Sequence, residues 1–260
     1  MTTTLSALAS LLKQKTGTLA VTREVRGAID EILKTPKGME SRARLRTQTH
    51  NDVYRLTATP RLHDFHNASR ERRLEASLWR HCVAGNQPLL DDVRIVAFQV
   101  PLYARQKKAG LGSIDLLGAT PTGEPVAVEL KVASSTKTKS GKVSFGIEPL
   151  VRPVVECAVY LSALQAQWGD FRSDWSRHTN VSALAPLTRL NGIVLAPDEY
   201  WNALLTCRHC KPALDVVGQL MADLARRGFH IRFASVTAKD PGTGPWEIGE
   251  IRERHLPGLA

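Results

Sequence analysis

The chain has 260 residues, with 35 Lys and Arg against 25 Asp and Glu and a formal net charge of +10. Hydrophobic residues make up 43%, which excludes wholesale disorder and allows a sizeable core in one large or two modest domains. No apolar run approaches the roughly 18 residues that a membrane helix needs, so we expect a cytoplasmic protein without a membrane partner. The positive charge makes a phosphate-rich partner the first one to consider.

The first 61 residues are predicted to form a basic, helical N-terminal extension. Leu5, Leu8 and Leu11 recur at helical spacing, and a second helical pattern ends at the stop signal over 34–38. Arginines then alternate with apolar residues over 39–46. We interpret this region as an arm rather than as a separate domain.

A stronger helix is predicted over 67–80. Leu74, Leu78 and Cys82 form an apolar stripe at i, i+4 and i+8, and Asn67 is expected to cap the helix. The pattern then changes to β-type, with strands predicted over 94–102, 113–119 and 125–133. Because a Pro-Thr-Gly-Glu turn separates the last two, they are expected to pair as an antiparallel hairpin.

The remaining chain alternates helices and strands. Residues 134–146 are expected to be a polar, flexible loop. The later elements are a helix over about 150–168, a strand over 192–196, helices over 200–205 and 213–227, and a strand over 230–236. This order predicts an α/β fold around a mixed sheet, with one domain over 62–240 and a Pro- and Gly-rich C-terminal tail over 241–260.

Three charged residues in the predicted hairpin are the main candidates for chemistry. Glu129 and Lys131 lie two apart in an apolar strand and therefore point to the same face. Asp115 lies in the preceding strand, where the hairpin can bring its carboxylate beside Glu129. Two adjacent carboxylates repel each other unless a divalent cation compensates, and oxygen ligands suit Mg²⁺ or Mn²⁺.

Gly112-Ser113-Ile114-Asp115 followed by Val128-Glu129-Leu130-Lys131 resembles the PD-(D/E)XK nuclease superfamily, which has a restriction-endonuclease-like fold. That family has a core of one helix, three antiparallel strands, a helix and a further strand. The resemblance covers about 69–196, and Ile114 replaces the proline of the family pattern.

The resemblance implies metal-dependent hydrolysis of phosphodiester bonds. Asp115 and Glu129 would ligate Mg²⁺ or Mn²⁺, assisted by the Leu130 carbonyl, and Lys131 would orient or help to deprotonate the attacking water. The competing interpretation is that Glu129 and Lys131 form an exposed salt bridge on a solvated face.

Two helices offer further candidates by the same resemblance. Many family members place a glutamate in the first helix near the metal, and Glu75 is the better match, with Glu71 one turn earlier. In the later helix, Arg152, Glu156 and Tyr160 share one stripe, and Glu156-x-x-x-Tyr160 is similar to the Gln-x-x-x-Tyr motif of RecB-like branches. The alternatives are surface acids for the first helix and a polar edge beside the core for the second.

Basic residues flank the candidate strands and are assigned to nucleic-acid binding, the alternative being a solvated loop. They are Arg105, Lys107, Lys108, Lys137, Lys139 and Lys142. Cys207 and Cys210 have the spacing of half a zinc site, but no second pair accompanies them.

The sequence therefore predicts a Mg²⁺-dependent nuclease, and DNA is its expected substrate. Double-strand cleavage by one site per chain would usually call for a homodimer. Two alternatives stay open: a catalytically inactive nucleic-acid-binding module or assembly subunit on a nuclease-like scaffold, and a phosphodiesterase for a small nucleotide.

Overall fold

The computed structural model describes residues 65, 68–101, 113–137, 143–146, 150–179, 187, 189–207 and 211–256, and the predicted extension over 1–61 lies outside them. Within these residues the chain forms four α-helices and eight β-strands. In chain order they are α1 (Arg70–Trp79), β1 (Arg94–Pro101), β2 (Ser113–Ala119), β3 (Pro125–Leu130), β4 (Ser134–Lys137), β5 (Val143–Gly146), α2 (Val151–Thr179), β6 (Leu190–Pro197), α3 (Asp198–Thr206), α4 (Lys211–Ala225), β7 (Phe229–Lys239) and β8 (Glu247–Glu253).

The main sheet has six strands in the order β1-β2-β3-β6-β7-β8. Strands β1, β2 and β3 pair antiparallel, which confirms the predicted hairpin between β2 and β3. Strands β3, β6 and β7 pair parallel, and β8 runs antiparallel to β7. The fold is therefore α/β with a mixed sheet, as the alternation of elements predicted.

Two apolar layers cover the two faces of this sheet. On one face, α1 packs its Leu74 and Leu78 into a cluster that includes Val128 and Leu130 of β3. On the other face, α2, α3 and α4 pack against a second cluster that includes Ala127 of β3. All six residues of β3 are buried, because a central strand covered by helices on both faces has no solvated side.

The N-terminal cap of α1 and the C-terminal end of α2 differ from the sequence prediction. Ser69, not Asn67, caps α1, since its side chain accepts the backbone N–H of Arg72. Helix α2 continues to Thr179, about eleven residues past its predicted end, and there the Trp175 indole donates a hydrogen bond to the Gly123 carbonyl in the β2–β3 turn. No helix of the described residues has the length and apolar character needed to span a bilayer.

Two segments that were expected to be irregular contain strands. The expected flexible loop over 134–146 is wrong where the structure describes it, because β4 and β5 pair antiparallel from Ser134 opposite Gly146 to Lys137 opposite Val143. The segment set apart as a C-terminal tail contains β8, which pairs with β7 at the edge of the main sheet. Strand β8 was missed because none of its residues is fully buried and its sequence carries four charged residues, so no apolar run marks it.

Candidate active site

Asp115 and Glu129 meet across the β2–β3 pair. The register of Leu116 opposite Val128 places Asp115 across from Glu129. Asp115 is half-buried, and its Oδ2 accepts the backbone N–H of Leu130 at 2.9 Å. This hydrogen bond fixes the Asp115 carboxylate to the β3 backbone beside Glu129.

Lys131 forms a buried bridge between two glutamates. Its Nζ lies 2.6 Å from Glu129 Oε1 and 2.9 Å from Glu156 Oε2. The Lys131 and Glu129 side chains are only 9% and 4% exposed, so the pair does not lie on a solvated face. The Lys131 backbone N–H also donates to the Leu195 carbonyl of β6, which holds the residue beyond the end of β3.

Glu75 reaches the same region from α1. The residue is 4% exposed, and its Oε2 accepts a hydrogen bond from Gln99 Nε2 of β1 at 2.9 Å. Its other oxygen, Oε1, is buried without a hydrogen-bond partner among the described residues. Repulsion from Asp115 also contributes to the raised pKa of Glu75, which places the two carboxylates close together.

Burial and mutual repulsion perturb these carboxyl groups strongly. Burial, and then the charge of Asp115, raises the pKa of Glu75 from 4.5 to about 8. Burial likewise raises the pKa of Asp115 from 3.8 to about 7, against the hydrogen bond from Leu130. Burial and Asp115 hold the pKa of Glu129 well above its usual range. The protein thus gathers three acids with too little positive charge to neutralise them.

The same residues fit a divalent cation in their donor chemistry. Glu75 Oε1, Glu129 Oε2 and Glu156 Oε2 are buried oxygens with no hydrogen-bond donor among the described residues, and such atoms are costly to leave unpaired. Carboxylate oxygens are the ligands that Mg²⁺ and Mn²⁺ prefer. Across the described part of the chain, no three His, Cys, Asp or Glu side chains already converge on one point as metal ligands. Donor type and charge match an ion, while the side chains are not closed around one.

The stripe predicted on the later helix lies along α2, beside the carboxylates. Glu156 is 7% exposed, and its Oε1 accepts from Arg152 Nε at 3.0 Å while its Oε2 faces Lys131. Burial would raise the pKa of Glu156, but Lys131, a side-chain hydrogen bond with Glu129, and Arg152 hold that pKa below its ordinary value. Tyr160 is buried one turn further on, where desolvation and the charge of Glu129 raise its pKa.

The structure describes one of the six basic residues that were predicted to flank the candidate strands. Arg105, Lys107, Lys108, Lys139 and Lys142 lie outside the described residues. Lys137 lies in β4, opposite Val143. Cys207 is half-buried just after α3, while Cys210 is outside the described residues.

Gln99 is a site residue that sequence reasoning missed. It lies in β1 between Phe98, opposite Leu116, and Val100, opposite Ile114, and so stands across from Asp115. Its backbone has a φ of +49°, in the left-handed region that strands avoid. A Gln in an apolar strand gives no local signal of a role in the site, because Glu75 and Asp115, which it meets there, belong to other elements.

Comparisons with known proteins assign no family to the chain. No family model, no curated protein and no solved structure matches it. Its function is therefore inferred from the chemistry and geometry of the carboxylates, Lys131 and the residues that hold them.

Proposed function

We propose that the chain is a divalent-cation-dependent nuclease that hydrolyses phosphodiester bonds, and that its substrate is DNA. The observation that carries the proposal is the group formed by buried Glu75, Glu129 and Lys131 and half-buried Asp115, in which Glu75 Oε1 and Glu129 Oε2 have no hydrogen-bond donor among the described residues. The order helix, three antiparallel strands, helix and strand supports the restriction-endonuclease-like core that the motif implies.

In this proposal Asp115 and Glu129 would hold the cation, with the Leu130 carbonyl as the third ligand that the resemblance implies and Glu75 facing the same space. A bound Mg²⁺ or Mn²⁺ supplies Lewis-acid polarisation of the phosphoryl oxygen and lowers the pKa of a bound water. The chain's own contribution is to gather and desolvate the carboxylates. Their raised pKa values express how poorly the protein alone compensates their charge.

Lys131 would act at the attacking water and at the charge that develops on the phosphate. Its ammonium already lies within 3 Å of both Glu129 and Glu156, so its position is set before any substrate arrives. When Glu129 binds a cation, Glu156 would remain as the anionic partner that retains Lys131. Glu156 is then a positioning residue, and Arg152 in turn holds Glu156 from the helix surface.

The choice of nucleic acid as substrate is supported by charge. A net charge of +10 attracts a polyanion without regard to its sequence. The β4–β5 hairpin begins three residues after Lys131, and the segment over 134–146 contains three lysines and no acidic residue. This chain segment would therefore bring positive charge to the C-terminal end of β3, where Glu129 lies.

A second candidate is a catalytically inactive nucleic-acid-binding module on the same scaffold. Lys131 Nζ forms an ion pair with Glu129 Oε1 at 2.6 Å, so this oxygen already has a partner. The described residues also contain no preformed metal site of three ligands. An inactive module would bind DNA with steep salt dependence and give no metal-dependent product.

The experiment that tests the proposal offers the protein four labelled substrates: linear duplex DNA, circular duplex DNA, single-stranded DNA and RNA. Each is incubated with Mg²⁺, Mn²⁺ or EDTA, and Lys131→Ala is the control for contaminating nuclease. We expect products only with a divalent cation and only from the parent protein. Tight DNA binding without products under every condition would favour the inactive module instead.

A further inference from the structure

Gln99 has a backbone conformation that its place in a strand does not explain. Of the described residues, only Asn86 and Gln99 are non-glycine residues with positive φ. Asn86 lies in a turn that follows the helical segment over 80–84, where asparagine commonly adopts such angles. Gln99 has a φ of +49° within β1, and a glutamine there stores strain that the surrounding structure must hold in place.

In β1 at Gln99 and in β2 at Asp115, the alternation of side chains between the two faces of the sheet is interrupted. Residues two apart in a strand normally share a face. Phe98 nevertheless packs in the layer under α1, whereas Val100 packs in the opposite layer. Their partners Leu116 and Ile114 are divided in the same way across Asp115. The left-handed residue therefore coincides with a local roll of β1 and β2 that brackets Asp115.

The strained residue is also the one that holds Glu75. Gln99 Nε2 donates to Glu75 Oε2 at 2.9 Å, which leaves Glu75 Oε1 as a buried oxygen without a hydrogen-bond partner among the described residues. One oxygen is thus fixed by the protein while the other stays available. This arrangement is what a carboxylate needs if it is to accept a cation in one orientation.

We propose that Gln99 is a positioning residue, held in a strained conformation so that its amide fixes Glu75 for a divalent cation. This inference rests on the proposed function, because it assigns Glu75 to the cation site. Residues that orient a metal ligand in this way commonly change metal affinity by 10- to 100-fold when they are replaced.

Two matched variants, Gln99→Gly and Gln99→Ala, separate the strain from the hydrogen bond. Both remove the amide, so both should bind Mn²⁺ at least about tenfold more weakly than the parent in a titration followed by the electron paramagnetic resonance of free Mn²⁺. Only glycine adopts a positive φ freely, so in EDTA the Gly variant should melt about 2–4 °C above the Ala variant. A third variant, Gln99→Asn, tolerates positive φ but is one methylene shorter, and it should melt near the Gly variant while binding Mn²⁺ weakly.

The outcomes distinguish this inference from the proposed function. If the parent binds Mn²⁺ and the Gly and Ala variants bind it within twofold of the parent, Gln99 does not position Glu75. If the Gly and Ala variants melt within 1 °C of each other, the strain is absent and the inference is overturned on that ground. If the parent itself takes up no Mn²⁺, the proposed function fails together with the cation role of Gln99, and the melting comparison still reports on the strain.

Discussion

Helix α1 carries residues of two charged clusters that differ in how completely their charges are paired. The arginine cluster consists of Arg70, Arg73 and Asp240, with Glu199 at its side. The carboxylate cluster consists of Glu75, Asp115 and Glu129, with Lys131 as its cation. Arg73 and Glu75 are only two residues apart and both are 4% exposed, yet their surroundings have opposite character.

In the arginine cluster, complementary partners surround each charged group. Both oxygens of Asp240 accept from arginine, with Arg70 Nε and Arg73 Nη1 each at 2.7 Å. Arg70 also reaches the Ala133 carbonyl and lies over the Trp246 ring, and Arg73 reaches the Gly244 carbonyl. Burial would raise the pKa of Asp240, but the hydrogen bonds from Arg73 and Arg70 lower it. This cluster ties the β7–β8 loop to α1 and to the end of β3.

The carboxylate cluster lacks this closure. Two of its oxygens have no hydrogen-bond partner among the described residues, and the pKa of Glu75 rises to about 8. Helix α1 supplies the arginines that pair with Asp240, so the same helix provides complete partners for one acid and not for another. The difference supports a structural role for the arginine cluster, whereas the open carboxylate cluster is the one that we propose to hold a cation.

The largest stability loss is expected in the arginine cluster. Arg73→Met removes both guanidinium contacts to Asp240, and we expect the free energy of unfolding to fall by about 3 kcal/mol, since two charge-assisted hydrogen bonds of about 1.5 kcal/mol each are lost while Arg70 still pairs with Asp240. Chemical denaturation measures this change. Arg232→Met is the matched control, because the Arg232–Asp92 pair is 30% and 50% exposed and should contribute less than about 1 kcal/mol. Equal losses in the two variants would contradict the distinction.

A divalent cation should stabilise the carboxylate cluster by mass action. At a concentration of about 100 times its Kd, Mn²⁺ should raise the free energy of unfolding by about 2.7 kcal/mol at pH 8. The same titration of Glu129→Gln should show little of this gain. Stabilisation of equal size by Na⁺ at matched ionic strength would mean that screening, and not a site, is responsible.

The pH dependence of the free energy of unfolding should reflect the raised pKa of Glu75. Its pKa is higher in the folded protein, about 8, than its ordinary value of 4.5, so the folded state binds more protons between these values. Stability of the cation-free protein should therefore fall as pH rises from 5 to 8, by at most about 1.4 kcal/mol per pH unit from this group. Glu75→Gln should be less steep over this window, and it should unfold at a higher denaturant concentration than the parent at pH 8. Parallel profiles would show that Glu75 ionises normally.

The smallest effect is expected at Glu156. Glu156→Gln keeps the shape but removes the charge that retains Lys131, and we expect kcat to fall about tenfold with KM nearly unchanged. Arg152→Met, one step further from Lys131, should change kcat less than threefold. A rise in KM with an unchanged kcat in Glu156→Gln would instead assign Glu156 to substrate binding.

The part of the site that could be predicted lies close together in the sequence. Asp115, Glu129 and Lys131 belong to one hairpin, so strand alternation and a turn signal were sufficient to place them side by side. Glu75 came from the resemblance alone, because no local pattern distinguishes it from a surface acid. The mixed sheet likewise followed from the order of apolar segments.

The rest depends on contacts between distant parts of the chain. Gln99 meets Glu75 across 24 positions, and Arg70 meets Asp240 across 170. Strand β8 has no fully buried residue, so its place at the sheet edge comes from pairing with β7 and not from an apolar run. Ser69 was missed as a cap because Asn67, two residues earlier, has equal propensity, and only the backbone geometry decides between them.

The most direct test of the central claim is the single-turnover rate of cleavage of a labelled linear DNA duplex. It is measured for the parent protein, Glu129→Gln and Lys131→Met in Mg²⁺ and in EDTA, with melting curves to show that all three are folded. We predict cleavage by the parent in Mg²⁺ alone and a loss of at least about a thousandfold in both variants. Rates within threefold of the parent in folded Glu129→Gln and Lys131→Met, or undiminished cleavage in EDTA, would contradict the account.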